Sequence, residues 1–206
     1  MTQTAVVTGG SGGIGSEVVH QLREAGWHVT SLSRREGCDV SDESQVKRAF
    51  GSLGALDALV HCAAVLINKP FSELSADEWD VQIDSDLRGA FLCSREAFRL
   101  MRDHGGSIVF VSSLAGVAGA EKFAGMSAYV AAKSALAGLT EVLAVEGREH
   151  RIRVNAISPG AVNTGMLRTS GVGGPQLQPE QVARVIVWLA SPASAPLSGA
   201  NLRMDP

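Results

Sequence analysis

The chain has a single tyrosine, Tyr129, and Lys133 stands four residues after it in the run Ser127-Ala128-Tyr129-Val130-Ala131-Ala132-Lys133. In a helix, positions i and i+4 lie one turn apart on the same face, so phenol and ammonium become neighbours. A fixed positive charge beside a phenol favours phenolate and makes proton transfer effective near working pH. The same spacing also suits an amphipathic helix that carries incidental polar residues. A second group is Thr8-Gly9-Gly10-Ser11-Gly12-Gly13-Ile14-Gly15. Glycines there permit backbone angles closed to other residues and let the main chain approach a phosphate, while a following helix turns its free N–H groups toward the anion.

These groups need a scaffold. Thr4 to Thr8 reads as a buried strand, and Ile14, Val18, Val19 and Leu22 give the helix that follows the glycines. Further strands are expected at Val29 to Ser33, Leu56 to Cys62, Ser107 to Ser112, Ile152 to Ile157 and Ala200 to Met204. Helical patterns separate the later ones, with one from about Ser127 to Glu149 and another after Pro179. Strands alternating with helices predict an α/β fold, a Rossmann-like doubly wound parallel sheet covered on both faces. The glycine turn then falls at the carboxyl end of the first strand, where open α/β sheets bind dinucleotides.

At 206 residues and 45% hydrophobic, with no linker-like stretch, the chain is expected to form one domain over 1–206 that both binds the dinucleotide and carries the chemistry. A net charge of −3 and 5% aromatic content argue against nucleic acid as a partner. The N-terminus shows no cationic leader pattern and no apolar run approaches bilayer-spanning length, so no membrane is expected and the protein is placed in the cytoplasm. Cys38, Cys62 and Cys93 are odd in number and unclustered, which suits reduced thiols and implies no metal.

The turn Thr-Gly-x-x-x-Gly-x-Gly together with Tyr129-x-x-x-Lys133 resembles the short-chain dehydrogenase/reductase family. Other matches follow in order: Asp57-Ala58-Leu59-Val60 leading into His61-Cys62-Ala63-Ala64, Trp79 at the start of a helix running to Phe91, Ser112-Ser113, and Ser158-Pro159-Gly160 with Thr164. The resemblance covers nearly the whole chain. It implies hydride transfer between nicotinamide C4 and a carbonyl or secondary alcohol carbon, as in carbonyl and ketoacyl-type reductases. It assigns Tyr129 as acid–base and Ser113, rather than Ser112, as the group that polarises the substrate oxygen. Lys133 is expected to bind the nicotinamide ribose and to support the phenol by its charge, and Asp86 occupies the place of a fourth catalytic residue. Gly9, Ser11, Gly12, Gly13, Ile14, Gly15, Ser33, Arg34, Arg35, Asp39, Val40, Cys62, Ala63, Ala64, Tyr129, Lys133, Pro159, Gly160, Val162 and Thr164 are expected to touch the coenzyme, and Asn155 is read as structural. A homodimer or homotetramer is also implied.

At the end of the second strand, an acid would accept from a ribose 2′-hydroxyl and repel a 2′-phosphate. The chain has Ser33-Arg34-Arg35 there, and guanidinium groups suit a phosphate, which favours NADP(H) over NAD(H). Arg34 and Arg35 can also be read as solvated loop charges.

Three departures from the family pattern stand out. Only four residues separate Arg34 from Asp39. A parallel crossover needs a dozen or more, and five steps of chain reach at most about 17 Å, so the family's third strand and the helix before it are expected to be missing. The sheet should then have about six strands with the second at an edge and Cys38-Asp39-Val40 crossing beside the adenine. Asp86 stands where relatives have asparagine, and a carboxylate near Lys133 is expected to offset part of its field. His61 and Cys62 replace amides near the coenzyme. Leu114, Val117, Phe123, Met126, Met166 and Leu167 are candidates for an apolar substrate wall or for ordinary packing. The rival reading is a dinucleotide-binding regulatory or partner protein with little catalysis.

Overall fold

The structure, a computed structural model, describes residues 2–206. Six strands, β1 (Thr4–Thr8), β2 (His28–Leu32), β3 (Ala58–His61), β4 (Gly106–Val111), β5 (Ile152–Pro159) and β6 (Asn201–Met204), form one sheet in the order β2-β1-β3-β4-β5-β6. Every neighbouring pair is parallel. Parallel strands need crossovers, and helices supply them: α1 (Gly13–Glu24), α2 (Glu43–Gly51), α3 (Ala76–Ile83), α4 (Gly89–Met101), α5 (Ser127–Glu146), α6 (Gly165–Ser170) and α7 (Pro179–Ala190).

Successive strand residues face opposite sides, yet both sides are buried, which is why the strands read as continuous apolar runs. Ala5, Val7, Val60 and Val109 pack with Val18 and Leu22 of α1 and Ile186 and Leu189 of α7. Val6, Leu59, Ile108 and Phe110 turn the other way, onto Phe50 of α2, Leu92 and Met101 of α4 and Leu136 of α5. Because α1 follows β1 on one face and α4 follows β3 on the other, the chain diverges at the carboxyl ends of β1 and β3 and leaves a crevice there.

Among the described residues no strand lies beyond β2, which forms the sheet edge as the short Arg34-to-Asp39 spacing requires. After Leu32 the chain makes a single 3-10 turn, Arg34–Glu36, and reverses at Gly37 with φ 83°. The Cys38 N–H donates to Ser33 O at 2.9 Å, closing the reversal. Cys38 and Val40 then sink into the core beside Leu32 and Phe50, and Asp42 caps α2 by accepting from the Ser44 and Gln45 N–H groups.

Two expectations need correction. The helix assigned to begin at Trp79 starts at Ala76, set by a capping box between Ser75 and Glu78, and it is interrupted by a π-helical turn at Asp84–Arg88 before α4. An apolar segment of bilayer-spanning length does exist: α5 has 20 residues with mean hydropathy 1.3. One face of it packs against the sheet through Ala128, Ala132, Lys133, Leu136 and Thr140, while Val142 and Val145 on the same helix are exposed.

Candidate active site

The glycine turn is held open by its neighbours. Gly9 has φ 67°, and a Cβ there would lie 2.8 Å from Ala63 N. At Gly15 an added Cβ would run into the Gly9 carbonyl, so the turn folds against the start of α1 only with glycine at both places. The cap of α1 is Gly12, which supplies no side-chain acceptor, leaving the first helical N–H groups turned outward. Thr8 joins the ends of β1 and β3: its hydroxyl lies 3.0 Å from His61 Nδ1 and accepts from Ala63 N–H at 3.2 Å. This cradle, with uncapped donors and no room for a Cβ, fits a dinucleotide pyrophosphate.

A cleft of about 930 Å³ opens above the turn. Every residue expected to touch the coenzyme, from Gly9 to Thr164, lines it, and so do Ser113, Tyr129 and Lys133. Asp86 does not. Of the six candidate substrate-wall residues, Leu114, Phe123, Met126, Met166 and Leu167 border the cleft; Val117 does not, because the chain turns away as the 3-10 turn Leu114–Gly116 ends. Leu66, not anticipated, adds to the wall. A second hollow of about 730 Å³ lies at the amino-terminal end of the sheet, and two of its charged groups are engaged: Asp57 accepts from Thr4 N–H at 2.7 Å and Arg151 donates to Asp103 O at 2.9 Å.

The two serines that end β4 divide their work. Ser112 is buried and its hydroxyl donates to Lys133 O at 2.9 Å, fastening α5 to the sheet. Ser113 borders the cleft, and its oxygen accepts from Ala115 N–H at 3.2 Å, which leaves its own proton free to donate. Ser134 binds Gly116 O at 3.1 Å, so the 113–116 turn is tied to the helix that carries Tyr129. Asn155 is structural: its amide donates to Leu197 O at 2.9 Å and its oxygen accepts from Ala200 N–H at 3.1 Å.

Helical spacing does bring Tyr129 and Lys133 together, with Lys133 Nζ 5.5 Å from the centroid of the phenol ring. The lysine is not a solvated charge, being 2% exposed. It donates to Val111 O at 3.1 Å and stands 3.2 Å from Asp86 Oδ2. The second contact is an ion pair without hydrogen-bond alignment, since Oδ2 has no aligned donor. Asp86 Oδ1 accepts from Val65 N–H at 2.9 Å. The π-helical turn carries Asp86 inward to this position. Burial alone pulls Lys133 down, but the Asp86 carboxylate and then Tyr129 outweigh it and its pKa is raised. Burial raises Asp86 in turn, against the opposing pull of Lys133 and the Val65 N–H. The ammonium therefore stays charged while sharing its field with a carboxylate.

His61 and Cys62 are packed rather than poised. Burial, with help from the Lys133 charge, pushes His61 down to about 3, so the ring is neutral at working pH. Among the described residues its Nε2 has no hydrogen-bond partner. Sequence reasoning missed one group near the coenzyme cleft, Glu36. Its carboxylate accepts from Ser33 Oγ at 2.6 Å and from Ser31 Oγ at 2.8 Å. An acid just before a glycine, in the Arg34-to-Asp39 stretch that is too short for a helix and a strand, was the available signal.

A parallel doubly wound sheet with a glycine cradle at its switch point and a tyrosine–lysine pair in the same cleft defines a dinucleotide-binding oxidoreductase class. The family model described as enoyl-(acyl carrier protein) reductase matches residues 9–206, and the chain belongs to the short-chain dehydrogenase/reductase family. It is 32% identical to carbonyl reductase (NADPH) 2 of Sus scrofa, over 98% of this chain and 94% of that protein. It is 31% identical to acetoacetyl-CoA reductase of Allochromatium vinosum, over 100% and 98%. Among solved structures it resembles a short-chain type dehydrogenase/reductase from Mycobacterium marinum, with TM-score 0.90 and 28% identity over 98% of this chain and 94% of that one.

Proposed function

We propose that the protein is an NADP(H)-dependent oxidoreductase that interconverts a ketone and a secondary alcohol. The observation that carries this reading is the convergence of Ser113, Tyr129 and Lys133 on the cleft that also contains the glycine turn. A nicotinamide in that cleft supplies or accepts a hydride. In the reducing direction Tyr129 donates its proton to the carbonyl oxygen as negative charge develops there, and Ser113 steadies the same oxygen with a hydrogen bond. In oxidation Tyr129 accepts the alcohol proton. Lys133 keeps a positive charge beside the phenol, and Asp86 positions that charge without reaching the cleft. Arg34 and Arg35, both exposed at the cleft rim, support NADP(H), as does the likeness to an NADPH carbonyl reductase.

The wall formed by Leu114, Phe123, Met126, Met166 and Leu167 suits an apolar carbonyl compound. The exposed side chains of Phe91 on α4 and of Val142 and Val145 on α5 support a homodimer or homotetramer. The protein is read as cytoplasmic, and the contact of α5 with the sheet supports a core helix rather than a membrane-spanning one. One observation favours a second reading, a dinucleotide-binding regulator with weak catalysis: the Lys133 ammonium is already shared between Asp86 and Val111 O.

The test is ketone-dependent oxidation of NADPH, screened over apolar ketones and acyl ketones, with Tyr129→Phe as control. Turnover that Tyr129→Phe abolishes supports the reductase. Tight NADPH binding without turnover favours the regulator.

A further inference from the structure

The chain after β2 places an acid against the serine beside which a phosphate is expected to dock. Ser33 directly follows the edge strand, is 8% exposed and lines the same cleft as Arg34 and the glycine turn. A serine hydroxyl has one proton to donate. In the structure that proton goes to Glu36 Oε2, over 2.6 Å. The same oxygen accepts from Ser31 at 2.8 Å, and Ser31 packs against Gly10 of the glycine turn. The arrangement follows from the lost strand. A longer crossover would carry the residues after Ser33 away from the sheet, whereas here one 3-10 turn and the reversal at Gly37 return Glu36 onto the two serines.

We propose that Glu36 is a coenzyme-discriminating residue, whose carboxylate takes the one hydrogen bond Ser33 can donate and so opposes a ribose 2′-phosphate while accepting a 2′-hydroxyl. The inference rests on the coenzyme reading of the cleft given above. A 2′-phosphate brings negative charge and needs donors. Arg34 and Arg35 offer them, but Ser33 joins only when Glu36 lets go, and the two anions repel while it stays. A 2′-hydroxyl carries its own proton and can donate to Glu36 with Ser33 still bound. The seated carboxylate therefore corresponds to an NAD(H)-accepting arrangement, and the displaced one to an NADP(H)-accepting arrangement. The arginines and Glu36 pull in opposite directions, and the protein's preference for NADP(H) is smaller than Ser33-Arg34-Arg35 alone implies.

The experiment is equilibrium titration of the unaltered chain, Glu36→Ala and Glu36→Gln with NADPH and NADH, followed by nicotinamide fluorescence. Adenosine 2′,5′-bisphosphate and AMP serve as probes that lack the nicotinamide. Glu36→Ala is expected to raise the NADPH-to-NADH affinity ratio about tenfold, the worth of one charge-assisted hydrogen bond. The bisphosphate-to-AMP ratio should move in parallel. Glu36→Gln keeps the side-chain length and removes the charge, so it is expected to give a smaller rise, and it carries the test if Glu36→Ala does not fold. Ratios unchanged in the folded variants would overturn the role of Glu36 while leaving the coenzyme reading intact. Failure of the unaltered chain to bind either dinucleotide would overturn the coenzyme reading and this inference with it.

Discussion

Lys133 Nζ stands 3.2 Å from Asp86 Oδ2, and the two side chains are 3% and 0% exposed. The pair is nearly closed to water, with Lys133 reaching the cleft beside the Tyr129 ring and Asp86 set back from it. Removing one member leaves the other charge buried and unpaired, which typically costs several kcal/mol. Asp86→Asn is expected to lower folding stability by about 3 kcal/mol, read by urea denaturation. It also removes the carboxylate that outweighs burial in keeping Lys133 charged, so the lysine pKa falls and the alkaline limb of the alcohol-oxidation pH profile is expected to move to lower pH. A profile that stays in place while stability falls would show that Asp86 serves packing alone.

Ser112 and Ser113 are adjacent in sequence and separate in role, so their alanine variants should differ in kind. Ser112→Ala loses the buried bond to Lys133 O and is expected to cost about 1 to 2 kcal/mol of stability. Ser113→Ala loses the cap on Ala115 N–H and is expected to cost about 1 kcal/mol, but unlike Ser112→Ala it should also lower kcat by about a hundredfold, in keeping with loss of one donor to a developing oxyanion.

Tyr129→Phe keeps the ring and removes the proton. Dinucleotide affinity should persist within about threefold, since tenfold in affinity corresponds to a whole hydrogen bond, while kcat falls by at least about a hundredfold. Equal loss of binding and turnover would instead indicate that the phenol helps to seat the coenzyme.

His61 links stability to pH. Its folded value of about 3 lies below the ordinary 6.5, so the unfolded chain binds the extra proton between these limits. Its contribution is complete above pH 6.5 and is lost as pH falls toward 3, on the order of 5 kcal/mol across the window. Denaturant titrations between pH 7.5 and 5 should show His61→Asn losing stability less steeply than the unaltered chain. Parallel slopes would place the acid sensitivity elsewhere.

Gly9 combines φ 67° with a backbone contact at the site of a missing Cβ. Gly9→Ala is expected to cost about 1 to 3 kcal/mol and to abolish dinucleotide binding, because the Ala63 main chain cannot yield like a flexible side chain. Calorimetry and fluorescence titration on the same preparation would separate the two effects.

Local chemistry made much of this molecule legible in its sequence. Period and turn residues placed all six strands to within about two residues, and the shortness of the Arg34-to-Asp39 stretch alone excluded the third strand, since chain reach is a covalent limit. The i+4 spacing of Tyr129 and Lys133 placed them on one helical face for the same reason. What lay beyond sequence depended on groups brought together from distant elements. The closeness of Asp86 to Lys133 depends on a π-helical turn that rotates one residue inward, and helical periodicity carries no mark of that turn. Glu36 meets Ser31 and Ser33 because of one reversal at Gly37, whose direction is decided by how Cys38 and Val40 find room in the core. Covalent geometry and side-chain pattern therefore determined the order of elements and the residues available for chemistry. Packing in three dimensions decided which charges those residues meet, because burial and distance govern electrostatics and neither is a property of the chain taken in order.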